Sequence, residues 1–319
     1  MTARIILHIP EMYHARYDRV PHLALYPLVR DVVLGLGGQI ALGTQPPELY
    51  RNLTQPGDGD LHIVEGGRVQ GEGWLNAALA YLRGYWHLDP VGVLGESSIL
   101  LRSFDPTGLG DTAAFLEDMR NRFVVPRLSR YGQPTRVMPV PKGAIAVFLQ
   151  GPAPFHRKLA YMSNAQMLHS VLEGAGRRMV VVKPHPLARA QGMAVFEAAQ
   201  KPGYRMIATD ANVHDILAAC AVTVSVNSAA SMEGLLHGKP GILFGQSDFA
   251  QFMHTVRKPE EFASVLAQAL RAPVDFAQAI AWYFGRQCLQ LDAPDVTARL
   301  LNVFADAGFD RARLGLRAA

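Results

Sequence analysis

Two cysteines, Cys220 and Cys288, are all that the 319 residues contain. Neither belongs to a CxxC pair or to a Cys/His spacing, which excludes a disulfide-stapled fold and a thiolate zinc site. Both read as reduced core residues. Long apolar runs are also missing. The longest, ILAACAVTVSV at 216–226, falls well short of the ~18 residues that span a bilayer and sits inside a helix-to-strand pattern. The N-terminal MTARIILHIPEMYHARYD carries too short an apolar run for a signal peptide, so a soluble, cytoplasmic protein is expected. Charge of one sign is scarce: 31 Lys and Arg stand against 27 Asp and Glu, and the aromatics do not cluster with the basic residues. A nucleic-acid binder is therefore not expected, and anionic small molecules suit the mild positive bias better. The three arginines of the C-terminal RARLGLRAA read as a solvated end, with peripheral contact to anionic lipid on the inner membrane face as the alternative.

What is present is a regular alternation. From residue 144 onward, AIAVFLQ, RMVVVK, YRMIAT, VTVSVN and PGILFG read as strands. Between them NAQMLHSVLEGAG, LARAQGMAVFEAAQ, NVHDILAACA and SAASMEGLLHG read as helices. Short apolar strands separated by helices of this length specify βαβ units and a parallel sheet covered on both faces. The first half is similar in kind: strands at 4–9, 39–44 and 60–66, a helix over 23–37, and a helix expected for LNAALAYLRGYW. A further helix, DTAAFLEDMRNRFVVPRLSRYG, closes it. GQPTRVMPVPKG at 132–143 has three prolines, a glycine at each end and no periodicity, and is the expected linker. Past residue 250, PEEFASVLAQALRAP and TARLLNVFADAGF are amphipathic. The expected fold is α/β, with two Rossmann-like domains, 1–135 and 144–319, a cleft between them and a helical C-terminal extension. Nothing in the sequence sets an oligomeric state.

Two segments end strands in a way that packing does not explain. VVVKPHP at 180–186 turns from three valines into Lys183, Pro184, His185 and Pro186. Prolines stiffen such a turn and fix the direction of the imidazole, so His185 can donate to a phosphate oxygen and Lys183 can add charge. After VTVSV, Asn227 or Ser228 is a natural N-cap, and small residues through Ser231 let an anion reach the first turn of the helix. Glu233, a turn further on, can accept from ribose hydroxyls or complement the helix dipole. Each feature alone is commonly structural; together, at two strand ends of one domain, they form a candidate phosphate site.

VVKPHP followed by VNSAASMEGLLHGKPGILFG resembles the bacterial capsular polysaccharide biosynthesis proteins, the group that contains β-Kdo transferases. Those carry a Lys-x-His-Pro turn and then Asn-Ser-x-x-x-x-Glu-x-x-x-x-Gly-Lys-Pro. Bacterial sialyltransferases and polyol-phosphate polymerases pair similar segments more distantly. SAAS departs from the glycine-containing helix start common in the family, and the first half has no matching motif. The resemblance implies a GT-B fold, a nucleotide-sugar donor held by the C-terminal domain through Lys183, His185, Asn227, Ser228, Ser231 and Glu233, and a glycan or glycolipid acceptor held by the N-terminal one. CMP-Kdo is the first donor it suggests, with no metal and no separate cofactor. GDGD at 57–60 has the letters of a metal-binding DxD but sits in a Gly/Pro-rich loop, where a tight turn is expected.

Glycosyl transfer also needs a carboxylate near the anomeric carbon or the acceptor hydroxyl. Asp89 and Glu96, in a segment with the sugar-stacking candidate Trp86, are the first choices. Glu11, His14 and Glu65, just beyond strands, come next. The alternatives are a UDP-sugar-using GT-B enzyme, a UDP-sugar 2-epimerase, and a nucleotide-sugar-binding protein without catalysis.

Overall fold

A computed structural model describes residues 2–44, 58–271 and 274–317. The chain divides into two compact units, one made of Met1–Ser103 with Phe284–Ala319 and the other of Phe104–Tyr283.

The first unit is built on β1 (Ile5–Ile9), α1 (Leu25–Gly35), β2 (Ile40–Thr44), β3 (Leu61–Glu65), β4 (Trp74–Leu79) and β5 (Tyr85–Asp89). The end of the chain adds β12 (Leu289–Gln290) and α10 (Val296–Asp306). The sheet order is β12-β5-β4-β3-β1-β2, with β2, β1, β3 and β4 parallel and β5 antiparallel to β4. Alternate residues of β1, Ile5, Leu7 and Ile9, enter a core with Val29 and Val33 of α1 and Leu300 and Phe304 of α10.

LNAALAYLRGYW is not the expected helix. Its Leu75 to Leu79 lie in β4, between β3 and β5, where Trp74 to Ala78 are buried on both sides. A central strand has no polar face, so its composition imitates a buried helix. Tyr81 and Gly84, with φ of 60° and 85°, then turn the chain into β5.

The second unit holds β6 (Ile145–Phe148), β7 (Val180–Lys183), β8 (Met206–Ala208), β9 (Val222–Ser225), β10 (Gly241–Leu243) and β11 (His254–Thr255). All are parallel, in the order β11-β10-β9-β6-β7-β8. This is the doubly wound Rossmann order, and it reverses direction between β6 and β9. The helices are α2 (Thr112–Met119), α3 (Ala153–His156), α4 (Asn164–Gly174), α5 (Arg189–Ala198), α6 (Val213–Ala219), α7 (Ala229–Leu236), α8 (Phe262–Arg271) and α9 (Phe276–Ile280). Ser163 and Gln166 close a capping box on α4, Asn212 caps α6 and Ser228 caps α7. Among the described residues, no helix is long and apolar enough to cross a membrane.

The two units differ from the expected division at 135–144. Residues 104–143 stay with the second unit: Met138 and Val140 pack on its core, and Asp215 accepts the Met138 N–H at 3.3 Å and the Arg127 guanidinium at 2.7 Å. The proline-rich stretch is irregular because it lies along a surface. The last helix returns to the first unit, whose core takes Leu300, Phe304 and Phe309.

Candidate functional site

Ligands of a doubly wound sheet bind at the carboxyl ends of its strands, where the order reverses. In the second unit that place is flanked by residues 149–152 after β6 and 226–228 after β9. Gln150 joins them. Its side-chain amide donates to Asn227 Oδ1 at 2.9 Å, and the Asn227 N–H donates back to Gln150 Oε1 at 2.6 Å. Asn164 clamps Gln150 from the other side, accepting its N–H at 3.1 Å and donating to its carbonyl at 2.7 Å. Asn227 also donates to the Gln246 carbonyl at 2.9 Å.

On the other side, Gly151 adjoins His185: a Cβ on this glycine would lie 3.4 Å from Nδ1 of the imidazole. One short loop thus touches both segments that the sequence singles out. His185 Nδ1 accepts the Leu187 N–H at 3.2 Å, so the neutral ring carries its proton on Nε2, free to donate. Burial, and then the charge of Arg130, hold the imidazole pKa below its ordinary value. The edge of Tyr131 meets the ring, with centroids 5.2 Å apart.

The start of α7 is equally ordered. Ser228 accepts the Ala230 N–H at 3.2 Å, and its own N–H donates to Ser225 Oγ at 3.0 Å. Ser225 in turn pairs with the fully buried Ser231 at 2.9 Å. Asn227 and Ser228 are half-buried; Ser231 ties the helix to its strand and is closed to a ligand.

Glu233 also differs from its expected part. It is 1% exposed, so it cannot meet a ribose from solvent. Desolvation pushes its carboxyl up to about 7, against the opposing pull of the Ser129 hydroxyl, the Arg130 N–H and Lys183, and its Oε1 has no hydrogen-bond partner. Lys183 is half-buried and donates to the Ala211 carbonyl at 2.6 Å, which commits it to the β7 to β8 side of the sheet. Burial lowers its pKa. Glu233 is therefore enclosed, whereas Lys183 is half-buried like His185, Asn227 and Ser228 but directed to the Ala211 carbonyl.

Sequence reasoning missed Gln150, Asn164 and residues 129–131. The signal for Gln150 was a polar residue closing the apolar AIAVFL. Residues 129–131 stand at the end of the segment expected to be helical, just before the expected linker, where no motif marks them.

In the first unit the first-choice carboxylates need correction. Opposite Asn76, which is itself level with Val64, one residue short of Glu65 on β3, Asp89 ends the antiparallel β5. Its oxygens accept from Val91 N at 2.8 Å, Gly92 N at 3.1 Å and Ser98 Oγ at 2.6 Å, which makes it the organiser of a turn. Glu96 is paired with Arg68 at 3.6 Å. Trp86 is 1% exposed and stacks edge-on against Tyr26 in the core, which rules out the sugar-stacking part expected of it. Glu65, by contrast, ends β3 at the carboxyl edge and accepts from the buried Tyr26 hydroxyl at 2.9 Å. Glu11 and His14 follow β1 at that same edge; Glu11 is exposed, and His14 Nε2 lies 3.1 Å from the Ile9 carbonyl.

Gly57 of GDGD lies outside the described residues. Asp58 accepts the Asp60 N–H at 3.0 Å, and Asp60 holds the Arg4 guanidinium at 2.7 Å, so both are structural. No group of three His, Cys, Asp or Glu side chains among the described residues is placed to hold a metal ion.

Two Rossmann-like units, one doubly wound with its polar cluster at the strand-order reversal, define a GT-B-like α/β fold. Residues 155–261 match the family model described as capsule polysaccharide biosynthesis protein, and VVVKPHP and the Asn227 to Pro240 segment both fall inside that match. The fold is similar to KpsC β-Kdo 2,7 transferase of Thermosulfurimonas dismutans, with a TM-score of 0.54 and 15% identity over 96% of this chain and 99% of that one. It is similar also to the β-Kdo 2,4 transferase of KpsC from the same organism, with a TM-score of 0.55 and 16% identity over 88% and 90%. No curated protein matches the sequence.

Proposed function

We propose that the protein is a glycosyltransferase of surface polysaccharide assembly that takes a sugar, Kdo or another acidic one, from a CMP-linked donor to a glycan or glycolipid acceptor. The observation that carries this reading is the loop at 150–151, which sets His185 and the start of α7 on either side of the strand-order reversal. The family match over 155–261 and the fold likeness to the two KpsC transferases support it.

In the transfer, the bond between the anomeric carbon and the phosphate oxygen breaks and one to the acceptor oxygen forms, and the departing nucleotide gains negative charge. His185 Nε2–H and the first turn of α7 are the groups suited to meet that charge. Glu65 and Glu11, at the carboxyl edge of the first unit, replace Asp89 and Glu96 as the carboxylates to test on the acceptor side.

The test is a thermal-shift panel of CMP, CDP, UMP, UDP and GDP on the wild type and on His185→Ala, followed by product analysis with and without acceptor. A ligand at 100 times its dissociation constant stabilises by about 2.7 kcal/mol. A CMP-selective shift that His185→Ala abolishes, with sugar transfer only when acceptor is present, supports the reading. A UDP preference with conversion of donor alone replaces it with an epimerase, and no shift with any nucleotide removes the donor site.

A further inference from the structure

One face of α10 carries Arg299, Asn302, Val303 and Asp306 at i, i+3, i+4 and i+7, while Leu300, Leu301 and Phe304 enter the core. The first four line a cavity of ≈ 310 Å³ inside the first unit, completed by β5, β12 and the chain through Ile99 and Arg102. The cavity reaches Leu75 at the start of β4 and Asp89 at the end of the antiparallel β5. Through the register of β3, β4 and β5 these two residues are level with Ile63 and Val64, two and one residues short of Glu65.

Its chemistry is cationic on an apolar wall. Arg102, Arg286 and Arg299 face two carboxylates, Asp89 and Asp306, and the oxygens of Asp89 are already occupied by Val91, Gly92 and Ser98. Arg102 spends its guanidinium on neutral oxygens, Gln287 Oε1 at 2.5 Å and Ser98 Oγ at 3.1 Å. Arg299 donates to the Cys288 carbonyl at 2.7 Å. Neither has a carboxylate partner among the described residues. Two planar cations held in place by neutral acceptors, beside Leu75, Ile99 and Leu289, are suited to a carboxylate or phosphate on an apolar body. The volume lies at the small end for ligand pockets, which fits a compact acid rather than a nucleotide sugar.

We propose that this cavity binds a small organic anion, a carboxylate or a phosphate monoester with an apolar body, at a site separate from the strand-order reversal of the second unit.

Isothermal titration with benzoate and with phenyl phosphate tests it on the wild type, Arg102→Gln, Arg299→Gln and His185→Ala. The expected result is saturable binding of at least one probe to the wild type and to His185→Ala alike, weakened at least tenfold in both arginine variants. Which probe binds tells a carboxylate ligand from a phosphate one. Arg102 is exposed, so Arg102→Gln should keep the wild-type melting temperature and reports on the cavity even if Arg299→Gln destabilises the unit. Binding of neither probe, binding that Arg102→Gln retains in full, or binding lost in His185→Ala overturns the proposal.

Discussion

Gln150 and Asn227 hold each other by two hydrogen bonds that run in opposite directions, at 2.9 and 2.6 Å, across the adjacent strands β6 and β9. An unpaired, partly buried polar group costs about 1–3 kcal/mol. Gln150→Ala and Asn227→Ala should each lower the melting temperature by a few degrees and weaken nucleotide binding. Because they share one contact, the double variant should lose less than the sum of the two, by about 0.5–3 kcal/mol. Strict additivity in urea unfolding would show that the pair is not coupled.

His185 offers a second test. Its Nδ1 accepts from Leu187 and its pKa lies below the ordinary imidazole value, so the ring enters the complex neutral at pH 7. A bound phosphate favours the charged ring, and affinity should rise as pH falls from 7 to 5. His185→Gln cannot gain that proton. The ratio of wild-type to variant affinity, which cancels the titration of the ligand itself, should grow over this range; a constant ratio would place the imidazole away from the phosphate.

Glu233 gives stability a slope of the opposite kind. Its carboxyl, raised to about 7 in the fold, keeps a proton that the unfolded chain releases near the ordinary carboxyl value. Its contribution is full below about pH 4.5 and is lost as pH rises through about 7. Glu233→Gln removes the titration. Its stability relative to the wild type should improve by roughly 2–3 kcal/mol between pH 5 and 8, read from chemical denaturation, and parallel curves would contradict the burial of an ionisable group there.

The histidine pair His214 and His237, with Nδ1 and Nε2 3.0 Å apart, should contribute to the loss of stability in acid. Burial first, then His214, Lys239 and Arg120, push His237 down to about 4. A lowered imidazole pKa means that the unfolded state binds more protons between about pH 6.5 and 4, so stability falls as pH drops through that window. Allowing for its partial exposure, the effect is on the order of 2 kcal/mol. His237→Gln should flatten the fall in melting temperature below pH 6; an unchanged acid limb would assign it to other groups.

Asp89 should matter to folding rather than to chemistry. Asp89→Ala strips acceptors from Val91, Gly92 and Ser98 and should cost about 2–4 kcal/mol. Turnover per folded molecule should stay near the wild type, and a large loss of kcat at full stability would return Asp89 to the reacting centre.

Much of the second unit was legible in its residues. VVVK, VTVS and the helices between them showed strand and helix through length and period, and the Lys183 to Pro186 turn stood out because a buried strand has no packing use for it. The first unit hid its pattern. Central strands such as β4 lack alternation because both faces are buried, and the antiparallel run of β5, which brings Asp89 opposite Asn76, depends on a turn at Tyr81 and Gly84 that carries no direction in its letters. Gln150 escaped notice for a related reason: its partner Asn227 is far along the chain, and only the sheet order brings them together. Glu233 is visible as an acid, but its partners Ser129 and Arg130 lie far earlier in the chain, where no spacing points to it.

The first unit is assembled from both ends of the chain, and this has a consequence for synthesis. When the first 103 residues emerge from the ribosome, β5 is an open sheet edge, and the core still lacks Leu300, Phe304 and Phe309. The second unit, a single continuous segment, has its whole sequence in hand first. The nascent first unit must wait, incomplete, through 180 further codons' worth of chain, from Phe104 to Tyr283, before β12 and α10 close it.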